Sequence, residues 1–513
     1  MGAARRLACL SSRPMSAANP ASQAESVLTD AGVSRRVVRG GGVRMAGFIL
    51  MNLMGVLGSV VLLRHLGVVD YGRYGTVISL MAAASGIAEA GLTVTGSREL
   101  ALRSPGAEWR TLLGTILGIR LGLSAASVLI GLAIGIAAGY DGQMLAGVVL
   151  VGIGAVLIAV QATILLPLVV RLRNASLTVS DLVKQGILLV GIVVLTVVGS
   201  GIVGFFALQI AIGLGALALV PFLAEREDVA PPRWSLSEWR DLAVIALPIA
   251  AAAVLTVIYL RLLVVLTSVL SSEYETGLFV TSARVVEIIG GLPLLISGVI
   301  LPVVSVASRD ARDRRTYVLA RTTETSLLLG SLIAIVLILG ARPVTVALGG
   351  SEFAAAAPVL RIQAPAVVTI FLVQAWATFL IADHHQADLV RCVLVGLVAL
   401  LVAGLVFIPL WDARGAAAAA VAADLAYATA LFIAVRRMPG RPVPVHLGFC
   451  GRLVVAAGAA IGVGLAAWSL PDAVAAALAG LVFAAGAVVF RMVPVDVYNA
   501  IRIRRGGNDA RPE

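Results

Sequence analysis

Residues 45–63 read MAGFILMNLMGVLGSVVLL, an uncharged run held between Arg44 and Arg64. At 1.5 Å per residue such a run makes a helix about 28 Å long, close to the roughly 30 Å hydrocarbon core of a bilayer. Thirteen more apolar runs follow, at 75–97, 111–138, 144–168, 177–198, 201–223, 242–270, 278–306, 322–340, 358–382, 390–410, 415–435, 453–468 and 473–490. Fourteen spans are therefore expected, and an all-α polytopic membrane protein is the fold class. Composition agrees, since 60% of the residues are hydrophobic and the mean hydropathy is +1.01, well above the ~45–50% apolar content of water-soluble chains.

The charges between the runs give a direction. Of the 39 basic residues, all but Lys184 arginine, 31 fall before the first span, after the last, in every second gap or, for Lys184 and Arg391, in the first half of the span that follows such a gap; the opposite gaps hold only Arg64, Arg73, Arg342 and Arg414. By the positive-inside rule both termini are cytoplasmic, as expected of a multi-pass protein of a bacterial inner (plasma) membrane. The net charge of +11 is then accounted for by loops facing anionic lipid, which argues against nucleic acid as a partner. Cys9, Cys392 and Cys450 lie in or beside cytoplasmic segments, where thiols stay reduced, so neither a disulfide framework nor a metal site is expected. His384 and His385 stand without further ligands, and the Gly40-Gly41-Gly42 stretch lacks the ending of a phosphate loop.

Organisation follows from the gaps. Residues 1–44 read as a disordered basic cytoplasmic tail, 45–223 as an N-terminal lobe of six spans, 224–241 as a cytoplasmic linker, 242–435 as a C-terminal lobe of six, 436–490 as two added spans, and 491–513 as a second basic tail. The longest internal gaps, 224–241 and 341–357, are too short for an external catalytic domain, and no nucleophile or acid–base set presents itself. No enzyme chemistry and no cofactor is expected; transport is. The lobes look doubled, because Asp70 and Tyr71 before the second span are echoed by Glu273 and Tyr274 before the eighth, at a shift of 203 residues. An even number of spans separates the copies, so the lobes are expected to be parallel repeats.

Ionisable residues inside spans are expensive and mark function or structural pairing. Arg120 lies about 14 Å into the third span, near the midplane; it would face a cavity or pair with a carboxylate. Arg261 falls in the seventh span. Arg284 and Glu287 in the eighth are three apart and share a helix face, which favours a local ion pair; a phosphate could replace that partner. Glu89, about 12 Å from the inner end of the second span, and Asp424 in the twelfth are candidate coupling or ion-pair carboxylates, Glu89 also as a partner for Arg120 or Arg261. Arg361 sits at the mouth of the tenth span, where snorkelling suffices to explain it.

Four stretches carry a resemblance to a known family. They are Leu66-Gly67-Val68-Val69-Asp70-Tyr71-Gly72-Arg73-Tyr74 with Glu89-Ala90-Gly91-Leu92 and Ser97-Arg98-Glu99-Leu100-Ala101; Tyr259-Leu260-Arg261 with Thr276-Gly277-Leu278-Phe279 and Ser282-Ala283-Arg284; Leu348-Gly349-Gly350-Ser351-Glu352-Phe353 with Ala356-Ala357-Pro358-Val359-Leu360-Arg361; and Gly415-Ala416-Ala417-Ala418. In this order the chain resembles the polysaccharide flippases of the multidrug/oligosaccharidyl-lipid/polysaccharide exporter superfamily, the Wzx-like proteins. Relatives often carry an acid two residues after the Arg of the seventh span, where this chain has Leu263, and a coupling role for that acid is in doubt here.

The resemblance implies two pseudo-symmetric six-helix lobes plus two C-terminal helices, alternating between inward-open and outward-open cavities. It implies as cargo a polyprenyl-pyrophosphate-linked glycan, moved to the outer leaflet for cell-surface polysaccharide, with a polymerase and glycosyltransferases as partners beside membrane lipid. Arg120, Arg261 and Arg284 would then contact the pyrophosphate. A lipid II flippase and a multidrug or cation antiporter of the same superfamily are the alternatives, the latter expected to have acid-lined rather than arginine-lined spans.

Overall fold

The computed structural model describes residues 31–103, 106–225, 229–310, 312–383, 385–438, 446–467 and 469–492, with backbone alone over 31–43, 87–90, 236–238, 240–250, 252, 295–310, 312–315 and 447. The elements run α1 (Ala31–Ala101), α2 (Ala107–Ala137), α3 (Gly142–Ile164), α4 (Leu166–Val170), α5 (Asn174–Val198), α6 (Ile202–Ala218), α7 (Val220–Leu223), α8 (Leu236–Leu270), α9 (Glu273–Asp310), α10 (Arg312–Leu339), α11 (Ala341–Gly349), a 3₁₀ turn (Ser351–Ala356), α12 (Ala357–Gln363), α13 (Ala366–Ala382), α14 (Gln386–Arg436), α15 (Leu447–Ala466) and α16 (Asp472–Val489). The described residues contain no strand. In hydrocarbon a backbone amide has no water to turn to, and a helix satisfies each one within its own segment.

Eleven helices among the described residues are long and apolar enough to cross a membrane, or twelve when the bent pair Ser351–Gln363 and Ala366–Ala382 counts as one span. The fourteen runs of the sequence are thus not matched helix for helix. Two of the eleven, 58 and 51 residues long, exceed the ~20 residues of one crossing, and each is interrupted at a single residue. Gly67 breaks α1 with φ 69° and ψ −177°, a conformation open to glycine and costly for any residue with a Cβ. Asp412 breaks α14 with φ 51°, three residues after Pro409 has removed a backbone donor. The gaps expected at 64–74 and around 414 are therefore helix apart from these breaks, and 341–357 is α11 and the 3₁₀ turn rather than a loop. The tenth run is not one straight helix, since α12 and α13 meet at 51° around Pro365. α1 begins at Ala31, inside the expected tail, and α8 at Leu236, inside the expected linker.

Packing joins the two halves along α1. It lies against α5, α8 and α9, while α3 packs on α6, α8 on α14, α10 on α13 and α16, and α15 on α16. Lipid offers no hydrophobic drive for helix association, so small residues that admit close backbones take that role. Between α10, α15 and α16 the core is built from Leu328, Ile335, Ala456, Ala460, Ala479 and Phe483.

Between the two halves, the closest glycine contact among the described residues lies at the arginine-poor end, where the second part of α1 meets the start of α9. A Cβ at Gly72 would strike the carbonyl of Glu273 and the backbone of Gly277; one at Gly277 would strike the carbonyl of Val68. The contact is reciprocal, each glycine facing the carbonyl four residues before the other. Thr76 donates to the Gly72 carbonyl at 2.9 Å and Thr281 to the Gly277 carbonyl at 2.8 Å, so equivalent residues are Gly72 with Gly277 and Thr76 with Thr281. The register of the repeat here is 205, not the 203 that aligning acids and tyrosines suggests. Backbone packing sets it.

Candidate functional site

Three helices bring polar groups to one depth. Ser59 lies eight residues before the Gly67 break, Arg261 nine before the end of α8, and Arg284 eleven after the start of α9. At 1.5 Å per residue these are about 12, 14 and 16 Å from the arginine-poor end, the middle of a roughly 30 Å core.

There the two arginines share one acid. Arg284 Nη1 donates to Glu287 Oε2 at 2.9 Å and Arg261 Nη2 to Glu287 Oε1 at 2.9 Å. Arg284 Nε donates to Ser59 Oγ at 3.0 Å, tying α9 of the second half to α1 of the first. These side chains are not packed away: Arg261 is 32% exposed, Arg284 31% and Glu287 44%, in mid-helix positions between α1, α8 and α9. They line an open space. Gly55 widens it, since the position its Cβ would take is 3.5 Å from Gln185 Nε2 on α5 and 3.6 Å from Arg284 Nη2. Tyr71 and Tyr74 lie in the field of Arg284 from the other part of α1.

Charge decides what this space can hold. Among the described residues, two fixed cations against one carboxylate leave a net positive charge within the membrane, where an uncompensated charge is costly. An anion with several oxygens suits it, because each guanidinium offers parallel donors. The Arg284–Glu287 pair is the one the three-residue spacing anticipates; the joining of Arg261 is tertiary and has no signal in the sequence. Ser59 and Gln185 were also outside the sequence candidates, being neutral residues within apolar runs.

The other candidates lie apart. Arg120 is 2% exposed inside the first half, donating to Thr163 Oγ1 at 3.0 Å, Thr93 Oγ1 at 2.6 Å and the Ala159 carbonyl at 3.3 Å, which ties α1, α2 and α3 together. The side chain of Glu89 lies outside the described residues. Asp424 accepts the hydroxyl of Tyr259 across the α8–α14 contact. Tyr259 and Arg261 are two residues apart and so point to opposite sides of α8. Leu263, at the family's variant position, is 6% exposed in the central core. Arg361 is 3.9 Å from Asp472 and half-exposed. On the flank of α5 away from Gln185, Val179, Val183, Val190, Leu208 and Ala211 line an open apolar groove of about 710 Å³.

A second polar set closes the arginine-poor end above the glycine contact. Arg73 Nε is 2.7 Å from Glu273 Oε2, and its Nη1 is 3.6 Å from Asp70 and 3.7 Å from Asp141, the N-cap of α3. The Glu273 hydrogen bond holds the Arg73 guanidinium above its ordinary pKa. Glu275 accepts from the Ala413 amide at 3.3 Å, and Ser271 donates to Asp412 at 2.7 Å, satisfying the break in α14.

Comparison with known proteins sets this geometry in context. Residues 61–358 match the family described as polysaccharide biosynthesis protein. No curated protein matches the chain in sequence. Among solved structures it is similar to the lipid II flippase MurJ in an inward-closed conformation (TM-score 0.72, 12% identity, 87% of this chain and 98% of that one). It is also similar to an inward-facing multidrug resistance MATE family transporter of the MOP superfamily (TM-score 0.60, 14% identity, 77% and 97%). A eukaryotic MATE transporter, AtDTX14, follows at TM-score 0.52, 16% identity, with 79% and 96% covered. At these identities the likeness is one of fold.

Proposed function

Because the chain belongs to the polysaccharide biosynthesis protein family, whose structural neighbours are transporters and flippases rather than enzymes, we propose that it flips a polyprenyl-diphosphate-linked oligosaccharide across the membrane. The observation that carries this is the convergence of Arg261 and Arg284 on a single carboxylate, at mid-depth, in a space between the two halves. A sugar chain and a diphosphate cannot cross hydrocarbon bare, since unpaired polar groups and charges are expensive there. The prenyl tail stays in lipid while the headgroup passes through the space, and the diphosphate takes over the donors that Glu287 now holds. An organic cation has no reason to seek two arginines.

In this reading the chain crosses a bacterial inner membrane fourteen times with both termini in the cytoplasm, loads where the glycan is assembled, and hands it to a polymerase outside. Arg120, by its partners, supports the first half and does not touch cargo. Arg261→Ala and Arg284→Ala are expected to abolish surface glycan while the protein inserts in normal amount, with the lipid-linked oligosaccharide accumulating on the cytoplasmic side. Mass spectrometry of the co-purifying lipid tests the cargo directly. A muropeptide-bearing lipid would reassign it to peptidoglycan, and surface glycan unaffected by both substitutions would end the proposal.

A further inference from the structure

We propose that Glu287 is a proton-binding site loaded by the cargo: when a diphosphate takes Arg261 and Arg284, Glu287 loses both partners and accepts a proton. The inference rests on the reading of the two arginines as the diphosphate site and adds what their release does to the acid.

The argument is a count of charge around a shared group. Without cargo, each oxygen of Glu287 receives one arginine at 2.9 Å, so the carboxylate is held ionised by two cations. A diphosphate joining a lipid to a sugar carries one negative charge on each phosphate, which matches the two guanidinium groups. Were Glu287 to stay ionised in that complex, its carboxylate would stand beside an anion with its partners gone, in a segment where an unpaired charge is strongly disfavoured. Accepting one proton makes the set neutral. No other group can do this in its place: among the described residues, the titratable or charged groups that share the field of Glu287 are Arg261 on α8, Arg284 on its own helix and Tyr71 on α1, with Tyr74 beside Arg284. Ser59, the remaining contact of Arg284, is neutral. An arginine cannot yield its proton, and a phenol has none to gain.

Proton and cargo therefore bind together, cargo binding being tighter at lower pH. The experiment is titration calorimetry of the full-length protein in detergent with P1-farnesyl-P2-(N-acetylglucosaminyl) diphosphate, in buffers of different ionisation enthalpy, from pH 7 to 8. The expected result is uptake of close to one proton per ligand and a Kd that rises about tenfold over that pH unit. Glu287→Gln is expected to bind the probe with no proton uptake and no pH dependence, more than about a hundredfold tighter than the parent at pH 8, and Glu287→Asp to restore the uptake. Binding without proton uptake in the parent, uptake that persists in Glu287→Gln, loss of binding in a Glu287→Gln protein that melts normally, or dependence on Na⁺ in place of pH would each overturn the proposal while leaving the arginine site standing. Binding that survives Arg261→Ala and Arg284→Ala unchanged would instead remove the arginine site, and this proposal with it.

Discussion

The joint between α1 and α9 makes a prediction that can be worked through. In Gly277→Ala the new methyl falls on the carbonyl of Val68, a backbone atom that cannot rotate aside, so the helices themselves must separate. Forcing a methylene into a packed contact costs about 1–3 kcal/mol, and immovable backbone neighbours put this case at the upper end, about 3 kcal/mol. Alanine returns up to about 1 kcal/mol of helix propensity, leaving a net loss of about 2 kcal/mol. Gly458 on α15 is the control, because nothing lies within 4 Å of the position its Cβ would take; Gly458→Ala should be neutral or slightly stabilising. Gly72→Ala meets the same joint from the other side, so the double variant should cost clearly less than the two singles added, the helices having already parted. Unfolding free energies from steric trapping in bicelles, with expression levels as a second readout, measure all four. A Gly277→Ala protein as stable as the Gly458→Ala control, or penalties that simply add, would refute the close reciprocal contact.

Other expectations follow from single features. Gly67→Ala places a Cβ on a residue at φ 69° and should cost about 2 kcal/mol in the same unfolding measurement. Arg120→Ala strips three donors from Thr93, Thr163 and the Ala159 carbonyl; it should lower stability by about 2 kcal/mol and reduce the yield of folded protein, unlike Arg261→Ala, which should spare the yield and stop transport. Tyr259→Phe leaves Asp424 without its hydroxyl donor across α8 and α14 and should cost about 1–3 kcal/mol, with Asp424→Asn milder because an amide can still accept from Tyr259. Arg73→Gln removes the cation among Asp70, Asp141 and Glu273; as the groups are partly solvated the stability change should stay under about 1 kcal/mol, but amide exchange in the first turn of α9 should quicken, more so at low ionic strength.

What the sequence disclosed and what it withheld divide along physical lines. Helices in hydrocarbon announce themselves, because each needs some twenty residues free of charge, and the runs at 111–138, 144–168 and 177–198 reappear as α2, α3 and α5. Connections do not. Gly67 and Asp412 turn the chain within one residue, and nothing in 64–74 distinguishes a broken helix from a loop, since both want glycine and charge at the membrane surface. In the site, Arg284 with Glu287 was legible because three residues along a helix fix two side chains on one face. Arg261 with Glu287, Arg284 with Ser59 and Tyr259 with Asp424 were not, for each joins different helices and depends on rotation about their axes, which an apolar run leaves unspecified. Arg73 stands three residues after Asp70 and reads as a loop charge; Asp141 and Glu273 join it only once α1, α3 and α9 converge.

The glycine joint has a further consequence. Two helices that each press on the carbonyl four residues before the other's glycine form an isologous contact, the kind a symmetric homodimer makes, although here both partners belong to one chain. At the two glycines the meeting atoms are main chain, and around them the buried side chains of Val68, Tyr71, Leu278 and Phe279 share one core, so the halves part there only by giving up that packing. The ionic rim of Arg73 lies at the edge of this joint, where the salt and water outside can reach it.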